Sequence, residues 1–198
     1  MEWNMGRISA TESVTLDGVM QGLGRPDEDP RGNFPHGGWG NGYQDEVSMS
    51  FMSEGMTGEG AMLFGRRTYE DLLGYWTAAT EPNPFSDFLT YSTKYVTSRS
   101  SDTTLSYPAS TLLAGEAVDS VRELRDSFDG DLTILGSGEL VRALHRAGLV
   151  DEYVLQIHPI VLGTGQRLFG DADRADLELQ RSIATTTGVI IAQYTVRR

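Results

Sequence analysis

The sequence predicts an α/β protein in which parallel strands alternate with helices and an antiparallel strand pair follows near the C-terminus. Residues 131–169 read as strand, glycine turn, helix and second strand, because apolar runs flank a stretch with helical spacing of apolar residues. Residues 61–76 repeat the order strand, turn, helix. Two β-rich runs on either side of Thr187 and Gly188 predict a hairpin. A strand that reaches the next strand through a helix implies a parallel crossover.

The length and composition favour one folded domain over residues 1–198. With 39% hydrophobic residues, the chain of 198 residues is long enough to bury one sizeable core. No apolar run reaches the roughly 18 residues that a membrane helix needs, and the N-terminus lacks the basic and apolar regions of a signal peptide. We therefore expect a soluble, cytoplasmic protein with no membrane partner.

The charged and metal-binding residues argue against several classes of function. The chain has no cysteine, which excludes disulfides, thiolate metal sites and cysteine nucleophiles. Its three histidines are scattered along the sequence, so we expect no metal site. The formal net charge of −12 opposes binding to nucleic acid or to an anionic membrane. Any phosphate site must therefore be local.

The first element in the chain is a strand over residues 7–16, followed by a long loop. Glu12 falls among the apolar positions of the strand, so it is a buried carboxylate with a partner, a cavity-lining residue or an exposed residue at a bulge. Residues 21–42 hold seven glycines and three prolines. Structureless loops longer than about 12 to 15 residues are often lids or binding loops. Trp39 would then cover a flat ring, or anchor a mobile surface excursion to the core.

An amphipathic helix is predicted over residues 43–56, with Gln44, Asp45 and Glu46 in its first turn. Acidic residues at a helix N-terminus interact favourably with the helix dipole, which is a purely structural explanation. The alternative is that one of these side chains points into a cleft and binds or protonates a substrate.

Two adjacent arginines, Arg66 and Arg67, follow a predicted buried strand over residues 61–64, and a helix is predicted from Thr68. Guanidinium groups at a helix N-terminus can donate paired, charge-assisted hydrogen bonds to a phosphate. The alternative is that they are surface residues paired with Glu70 or Asp71. The proline-broken segment over residues 81–90 then leads to the next strand.

Two further strand ends carry groups that suit an anion. A short strand over residues 94–99 ends in hydroxyl and guanidinium donors, and a helix over residues 117–128 follows it. The strand over residues 132–135 ends in a turn of Gly136, Ser137 and Gly138. Glycines in such a turn let backbone N–H groups approach an anionic ligand at a helix N-terminus, and nucleotide phosphates are the first candidate. The alternative is a turn that needs glycine only for its geometry.

Five motifs occur in an order that resembles the dihydrofolate reductase superfamily. They are Leu-Asp-Gly (16–18), Leu-Phe-Gly-Arg-Arg-Thr-Tyr-Glu (63–70), Lys-Tyr-Val-Thr-Ser-Arg (94–99), Leu-Gly-Ser-Gly-Glu-Leu (135–140) and Ile-Val-Leu-Gly-Thr-Gly (160–165). More closely, the chain resembles stand-alone relatives of the reductase domain of riboflavin biosynthesis, the C-terminal domain of the bifunctional deaminase-reductase. The resemblance spans residues 6–197 and implies a mixed, mainly parallel eight-stranded sheet flanked by helices.

The resemblance also implies an NADPH site and a substrate site. The residues that it assigns to the cofactor are Ser13, Gly18, Gly65, Arg66, Arg67, Thr68, Thr97, Ser98, Arg99, Gly136, Ser137, Gly138, Glu139 and Leu140. The nicotinamide would lie near Ser13, Asp17 and Gly18. Trp39 and Phe51 would contact the substrate, and Asp45 and Asp17 would be the catalytic carboxylates.

We therefore expect an NADPH-dependent oxidoreductase that transfers a hydride to a small pteridine-like, pyrimidine-like or carbonyl substrate. Such an enzyme would be related to dihydrofolate reductase and to 5-amino-6-(5-phosphoribosylamino)uracil reductase, and we expect a homodimer. The main alternative is a non-catalytic protein that binds NADPH or another small ligand. A flavin-binding reductase is a third possibility, which the colour of the purified protein would reveal.

Overall fold

The structure, a computed structural model, describes residues 6–56, 60–78, 83–171 and 173–198. Its strands are β1 (Ile8–Thr15), β2 (Gly60–Gly65), β3 (Lys94–Ser98), β4 (Ser110–Ala114), β5 (Asp131–Leu135), β6 (Glu152–His158), β7 (Leu177–Ala184) and β8 (Ile190–Val196). They form one sheet in the order β4-β3-β2-β5-β1-β6-β8-β7. This confirms the expected mixed eight-stranded sheet with an antiparallel C-terminal hairpin.

The helices of the described residues connect these strands. They are α1 (Glu46–Gly55), α2 (Arg66–Thr77), α3 (Pro84–Tyr91), α4 (Ala117–Ser127) and α5 (Gly138–Arg146), with a short 3-10 helix at Arg31–Asn33. In the part of the chain that the structure describes, no helix combines the length and the apolar character that crossing a bilayer demands.

The chain forms two compact units, each assembled from two segments. Unit 1 comprises Met1–Ala10 and Glu59–Asp151, and unit 2 comprises Thr11–Gly58 and Glu152–Arg198. Strand β1 contributes its first residues to unit 1 and the rest to unit 2. The organisation of residues 1–198 as a single domain stays a prediction.

Unit 1 is a parallel sheet with helices packed on it. Strand β2 pairs in parallel with β3 and β5, and β3 pairs in parallel with β4. Apolar side chains of β2, β3, α2 and α3 form a buried cluster, which removes their surface from water and stabilises the unit. Its members are Met62, Phe64, Tyr69, Leu73, Leu89 and Val96.

Lys94 is completely buried in unit 1, and its ammonium group is satisfied by the backbone. Its Nζ donates hydrogen bonds to the carbonyl oxygens of Leu89, Thr90 and Ser92 at 2.8, 3.0 and 2.7 Å. These carbonyls lie at the C-terminal end of α3, where a positive charge interacts favourably with the helix dipole. Lys94 thereby ties the start of β3 to the end of α3.

Unit 2 is built on antiparallel strands. Strand β8 pairs with β6 on one side and with β7 on the other, with an irregularity in β7 between Leu179 and Arg181. Helix α1 covers one face through Phe51, which packs against the buried side chains of Val154, Val189 and Ile191. Glu12 in β1 is only 3% exposed, which excludes one of the three alternatives that the sequence left open, an exposed residue at a bulge.

The sequence analysis missed one helix and one strand in unit 1. Helix α3 falls in the segment interpreted as proline-broken, but the Asn83 side chain accepts the Phe85 N–H at 2.9 Å and Pro84 occupies the first turn, where proline is tolerated. Residues 81 and 82 of that segment lie outside the described residues. Strand β4 is a short, partly exposed edge strand, so its sequence lacks a buried apolar run.

Two element boundaries also differ from the sequence interpretation. The last strand of the 131–169 segment is predicted by the apolar run over residues 153–162, but β6 ends four residues before that run does, at His158, because Pro159 has no N–H to donate to a neighbouring strand. Helix α2 begins at Arg66, so both arginines of that turn lie in the first helical turn rather than before it.

Candidate cofactor and substrate sites

The three predicted donor turns lie side by side in unit 1. Gly65 at the end of β2 pairs in register with Thr97 near the end of β3. On the other side of β2, Leu63 pairs with Ile134, one residue before the end of β5. Because the carboxyl ends of parallel strands meet at one edge of a sheet, these turns form a continuous surface. The fold therefore brings the three segments to the same edge of the unit 1 sheet.

Ser137 joins two of these turns. Its hydroxyl accepts a hydrogen bond from the backbone N–H of Gly65 at 3.0 Å. Ser137 has left-handed backbone angles, φ 69° and ψ 44°, and the preceding Gly136 has φ 64°. A left-handed conformation costs a residue other than glycine roughly 1–2 kcal/mol. Such strained residues cluster at ligand sites, where their conformation serves binding.

The backbone at the start of α2 and α5 is arranged as an anion site requires. Both helices begin at this edge of the sheet, and neither N-terminus has a side-chain cap. Unsatisfied N–H groups and the positive end of the helix dipole attract phosphate oxygens. A Cβ on Gly136 would lie 3.3 Å from the Thr68 side chain, so glycine also allows the turns to pack closely.

The arginines at these turns are exposed and pair with glutamates. Arg66 contacts Glu70 at 3.0 Å, which is the alternative the sequence left open. Looser pairs join Arg67 to Glu139 at 3.7 Å and Arg99 to Glu116 at 3.8 Å. Exposed ion pairs contribute only about 0–1 kcal/mol, so an incoming phosphate can compete for these guanidinium groups.

Most of the other residues assigned to the cofactor make contacts within the fold that hold the turns in place. The Thr97 hydroxyl donates to the Phe64 carbonyl oxygen at 3.2 Å, and the Ser98 hydroxyl is 2.7 Å from that of Thr103. Gly138 and Leu140 are buried in α5. Ser13 and Gly18 belong to unit 2, so the fold does not place every assigned residue in one unit.

Asp17, in unit 2, anchors the chain that follows β6. Its carboxylate accepts hydrogen bonds from the Thr15 hydroxyl at 2.6 Å and from the backbone N–H groups of Leu162 and Gly163 at 3.2 and 2.8 Å. The Thr15 hydroxyl and these amides lower the pKa of Asp17 to about 2. The carboxylate is therefore ionised at neutral pH and carries no proton to donate. Its catalytic assignment stays a prediction.

Asp45 is the N-cap of α1, also in unit 2. One carboxylate oxygen accepts the Ser48 N–H at 2.8 Å, while the Ser48 hydroxyl accepts the Asp45 N–H at 3.0 Å. The other oxygen accepts the N–H and hydroxyl of Thr186 at 2.6 and 2.7 Å. The backbone of Ser48 and the Thr186 hydroxyl lower the pKa of Asp45. Asp45 thus connects α1 to the β7–β8 turn, and its catalytic role also stays a prediction.

Substitution of Asp45 is expected to lower thermal stability, with Asp45→Ser less stable than wild type and Asp45→Ala the least stable of the three. A serine hydroxyl at position 45 can still accept the Ser48 N–H, but it is too short to accept hydrogen bonds from Thr186 as well. Alanine can accept neither. Thermal unfolding of the three proteins checks this order. A turnover loss of about 10²-fold in folded Asp45→Ser would support the catalytic assignment, and unchanged turnover would leave Asp45 with a structural role alone.

The loop over residues 21–42 is folded around its own side chains. Gln21 donates to the carbonyl oxygens of Asp29 and Arg31 at 3.0 and 2.9 Å and accepts the Gln166 N–H at 3.0 Å. Phe34 and Trp39 pack with Val19 in a buried cluster. Trp39 is 7% exposed, and its indole N–H donates to the Gln21 carbonyl oxygen at 2.7 Å. Its contact with a substrate stays a prediction.

Phe51 faces a groove of about 320 Å³ between α1 and β7. The Arg181 guanidinium lies over the Phe51 ring at 5.2 Å and pairs with Glu54 at 2.8 Å. The ring is therefore already covered by a cation that its π face attracts. The substrate contact assigned to Phe51 stays a prediction.

His158 is a buried polar residue that the sequence analysis did not single out. It is 6% exposed, and neither ring nitrogen has a hydrogen-bond partner among the described residues. The rings of Trp39 and Tyr43 pack on it edge to face, with centroids at 5.1 and 5.2 Å. Only its position before Pro159, at the end of an apolar run, could have drawn attention to it.

Acidification is expected to destabilise the protein as His158 becomes protonated in the unfolded chain. Burial lowers the pKa of His158 from 6.5 to about 4. Between these pH values the imidazole binds a proton in the unfolded chain but not in the folded one. The contribution of His158 to the free energy of unfolding is therefore fully present above pH 6.5 and is lost as the pH falls towards 4. The loss amounts to at most ~3 kcal/mol.

Urea unfolding at a series of pH values measures this effect. His158→Phe should flatten the slope between pH 6.5 and 4, whereas His36→Gln, which removes an exposed imidazole, should retain it. The same slope in wild type and in His158→Phe would contradict the assignment to His158.

Comparisons with known proteins identify the family. Residues 7–191 match the family described as the RibD C-terminal domain. The chain is 30% identical to the uncharacterized protein YyaP of Bacillus subtilis strain 168 over 197 residues, which cover 95% of this chain and 94% of YyaP. Relatives of this length and identity share a fold throughout.

Two solved structures show the same fold at low identity. A pyrimidine reductase-like protein of Corynebacterium diphtheriae matches with a TM-score of 0.67 and 14% identity, covering 98% of this chain and 93% of that one. Dihydrofolate reductase of Enterococcus faecalis, solved with NADP(H), matches with a TM-score of 0.63 and 16% identity, covering 98% of each chain. By its match to the family model, the chain belongs to the RibD C-terminal domain family.

Proposed function

We propose that the protein is an NADPH-dependent reductase that transfers a hydride to a small heteroaromatic or carbonyl substrate. The observation that carries this proposal is the surface formed by the three adjacent turns of unit 1, in which Ser137 hydrogen-bonds Gly65. Two uncapped helix N-termini and several arginines on one edge suit a ligand with several phosphates. The family supports the reductase class.

The residues of unit 1 fit the phosphates of NADPH. The N–H groups that begin α5, after left-handed Gly136 and Ser137, would hold the pyrophosphate. Arg66 at the start of α2 and Arg99 at the end of β3 would both bind the 2′-phosphate. NADPH supplies a hydride from its nicotinamide ring when it is bound. The protein's part is to orient the cofactor and to exclude competing reactions.

We assign the substrate to unit 2, where Asp17 and Asp45 are ionised at neutral pH. An ionised carboxylate can attract a protonated or N–H-bearing ring, but it cannot supply a proton. Water is therefore the proton source in our proposal, and the carboxylates act through their charge and through the loops they hold. A homodimer is part of the proposal as well.

Spectrophotometric assays of NADPH oxidation test this function. The substrates are dihydrofolate, the pyrimidine of riboflavin biosynthesis and a panel of carbonyl compounds. We expect turnover with at least one compound and slower turnover in Ser137→Val, whose β-branched side chain disfavours the left-handed conformation. The matched control is Ser127→Val, which alters a serine in the last turn of α4. If the protein binds NADPH but oxidises it with none of these compounds, the proposal that it is a reductase is contradicted.

A non-catalytic protein that binds NADPH or a small ligand is the second candidate. One observation favours it: both carboxylates assigned to catalysis are committed to hydrogen bonds within unit 2. Such a protein would bind NADPH with the same dependence on the arginines as the enzyme. None of the tested substrates, however, would cause it to oxidise the cofactor.

A further inference from the structure

His158 lies at a place where a buried polar ring is unusual. It is the last residue of β6, it is more than nine-tenths buried, and neither ring nitrogen has a hydrogen-bond partner among the described residues. Buried polar groups are nearly always paired, and an unpaired one makes its surroundings less stable. An exception of this kind requires an explanation, and a ligand that supplies the partner is one.

Two aromatic side chains cover the His158 ring. Trp39 comes from the loop over residues 21–42, and Tyr43 comes from the segment before α1. Their rings stand at 90° and 85° to the imidazole. The indole N–H of Trp39 is directed instead to the Gln21 carbonyl oxygen. A polar ring that is covered by an indole suits a flat heterocycle in the place of that indole, because the heterocycle buries its faces and hydrogen-bonds through its edge.

Trp39 lies in a glycine-rich part of the loop. Gly38 and Gly42, with φ of 80° and 84°, stand on either side of it. The Gln21 side chain holds the loop through the carbonyl oxygens of Asp29 and Arg31, and these hydrogen bonds do not involve the indole ring. Small residues that flank a side chain can absorb the backbone rotation that moves it.

We propose that His158 is a specificity-determining residue that hydrogen-bonds the edge of a flat, uncharged heterocycle, and that the Trp39 indole occupies the place of this ring in the ligand-free protein. The inference rests on the proposed function, because it names a contact for that substrate. A neutral imidazole offers one donor and one acceptor, so it can pair with either an acceptor or an N–H of the heterocycle. An open-chain carbonyl compound would fill the place of the indole less well.

Binding of three probes that are uncharged at neutral pH, uracil, cytosine and pterin, tests this proposal by calorimetry. We expect at least one to bind wild type and to lose about 10-fold or more in affinity in His158→Phe, which keeps a ring but removes both nitrogens. Trp39→Ala should bind the same probe several-fold more tightly, because its competitor is gone. The matched control His36→Gln should bind as wild type does.

A second measurement covers the case in which His158→Phe fails to fold. The 15N resonances of the His158 ring in wild type should shift when the probe is added, because a hydrogen bond to either nitrogen changes its shielding. Equal probe affinity in wild type and His158→Phe, unmoved ring resonances, or no binding of any probe to wild type would each overturn the proposal.

The same samples separate this inference from the proposed function. NADPH is titrated alone into wild type and His158→Phe, and its affinity is expected to be equal in both. Failure of NADPH to bind wild type would contradict the proposed function, whereas the probe titrations would still decide the role of His158.

Discussion

Replacement of Arg66 or Arg99 by alanine is expected to erode the preference for NADPH over NADH by about 10-fold or more in each variant. NADPH differs from NADH by one phosphate that carries close to two negative charges. On a chain with a net charge of −12, only local cations can offset the repulsion of that group. Charge-assisted hydrogen bonds contribute roughly 1.5–3 kcal/mol each, so two of them give a preference of the order of 10²-fold.

The structure explains why these arginines are available to a phosphate. The side chains of Arg66 and Arg99 are 47% and 88% exposed, and the glutamates that pair with them are exposed as well. Exchange of a solvated glutamate for a phosphate therefore costs little. Arg67 pairs with Glu139 at the start of α5, so its removal would also leave a negative charge near the pyrophosphate.

Titration of both cofactors into wild type, Arg66→Ala and Arg99→Ala at fixed salt measures the preference. Arg122→Ala is the matched control, because it removes an exposed, paired arginine from α4 and changes the net charge equally. The control should keep the wild-type preference. Equal affinities for NADH and NADPH in wild type would refute the phosphate assignment altogether.

The turns of unit 1 were predictable because their signals are local. A buried apolar run, a glycine and a helical spacing are all visible within about ten residues. Parallel pairing then brings the strand ends to one edge, so Gly65, Thr97 and Gly136 could be grouped from the sequence. The link made by Ser137 was not predictable, because it depends on a left-handed conformation that serine rarely adopts.

The polar contacts of unit 2 could not be predicted because their partners are distant in the sequence. Asp45 carries the expected signal of a helix N-terminus, but its second partner, Thr186, follows 141 residues later. Asp17 is likewise held by Gly163, 146 residues away. Each carboxylate looks equally suited to catalysis and to structure until its partners are known. Local patterns therefore predict strand-to-helix turns, whereas the partners of a carboxylate depend on the tertiary fold.

The largest expected effect on stability comes from Asp151→Asn in unit 1. Asp151 accepts the Ile8 N–H at 2.8 Å and a hydrogen bond from the Arg125 guanidinium at 3.1 Å. The two side chains are only 14% and 9% exposed. Removal of one partner of a buried ion pair costs about 3–5 kcal/mol, because the other charge stays buried without compensation. For a chain of this length that corresponds to a fall in Tm of roughly 10 °C.

A double-mutant cycle separates the ion pair from the other contacts of Asp151. Asparagine at position 151 can still accept the Ile8 N–H, so the loss in Asp151→Asn comes chiefly from the charge of Arg125. The added substitution Arg125→Met removes that charge and leaves an apolar chain of similar length. We therefore expect the double variant to be more stable than Asp151→Asn alone. A double variant no more stable than Asp151→Asn would show that the loss has another origin.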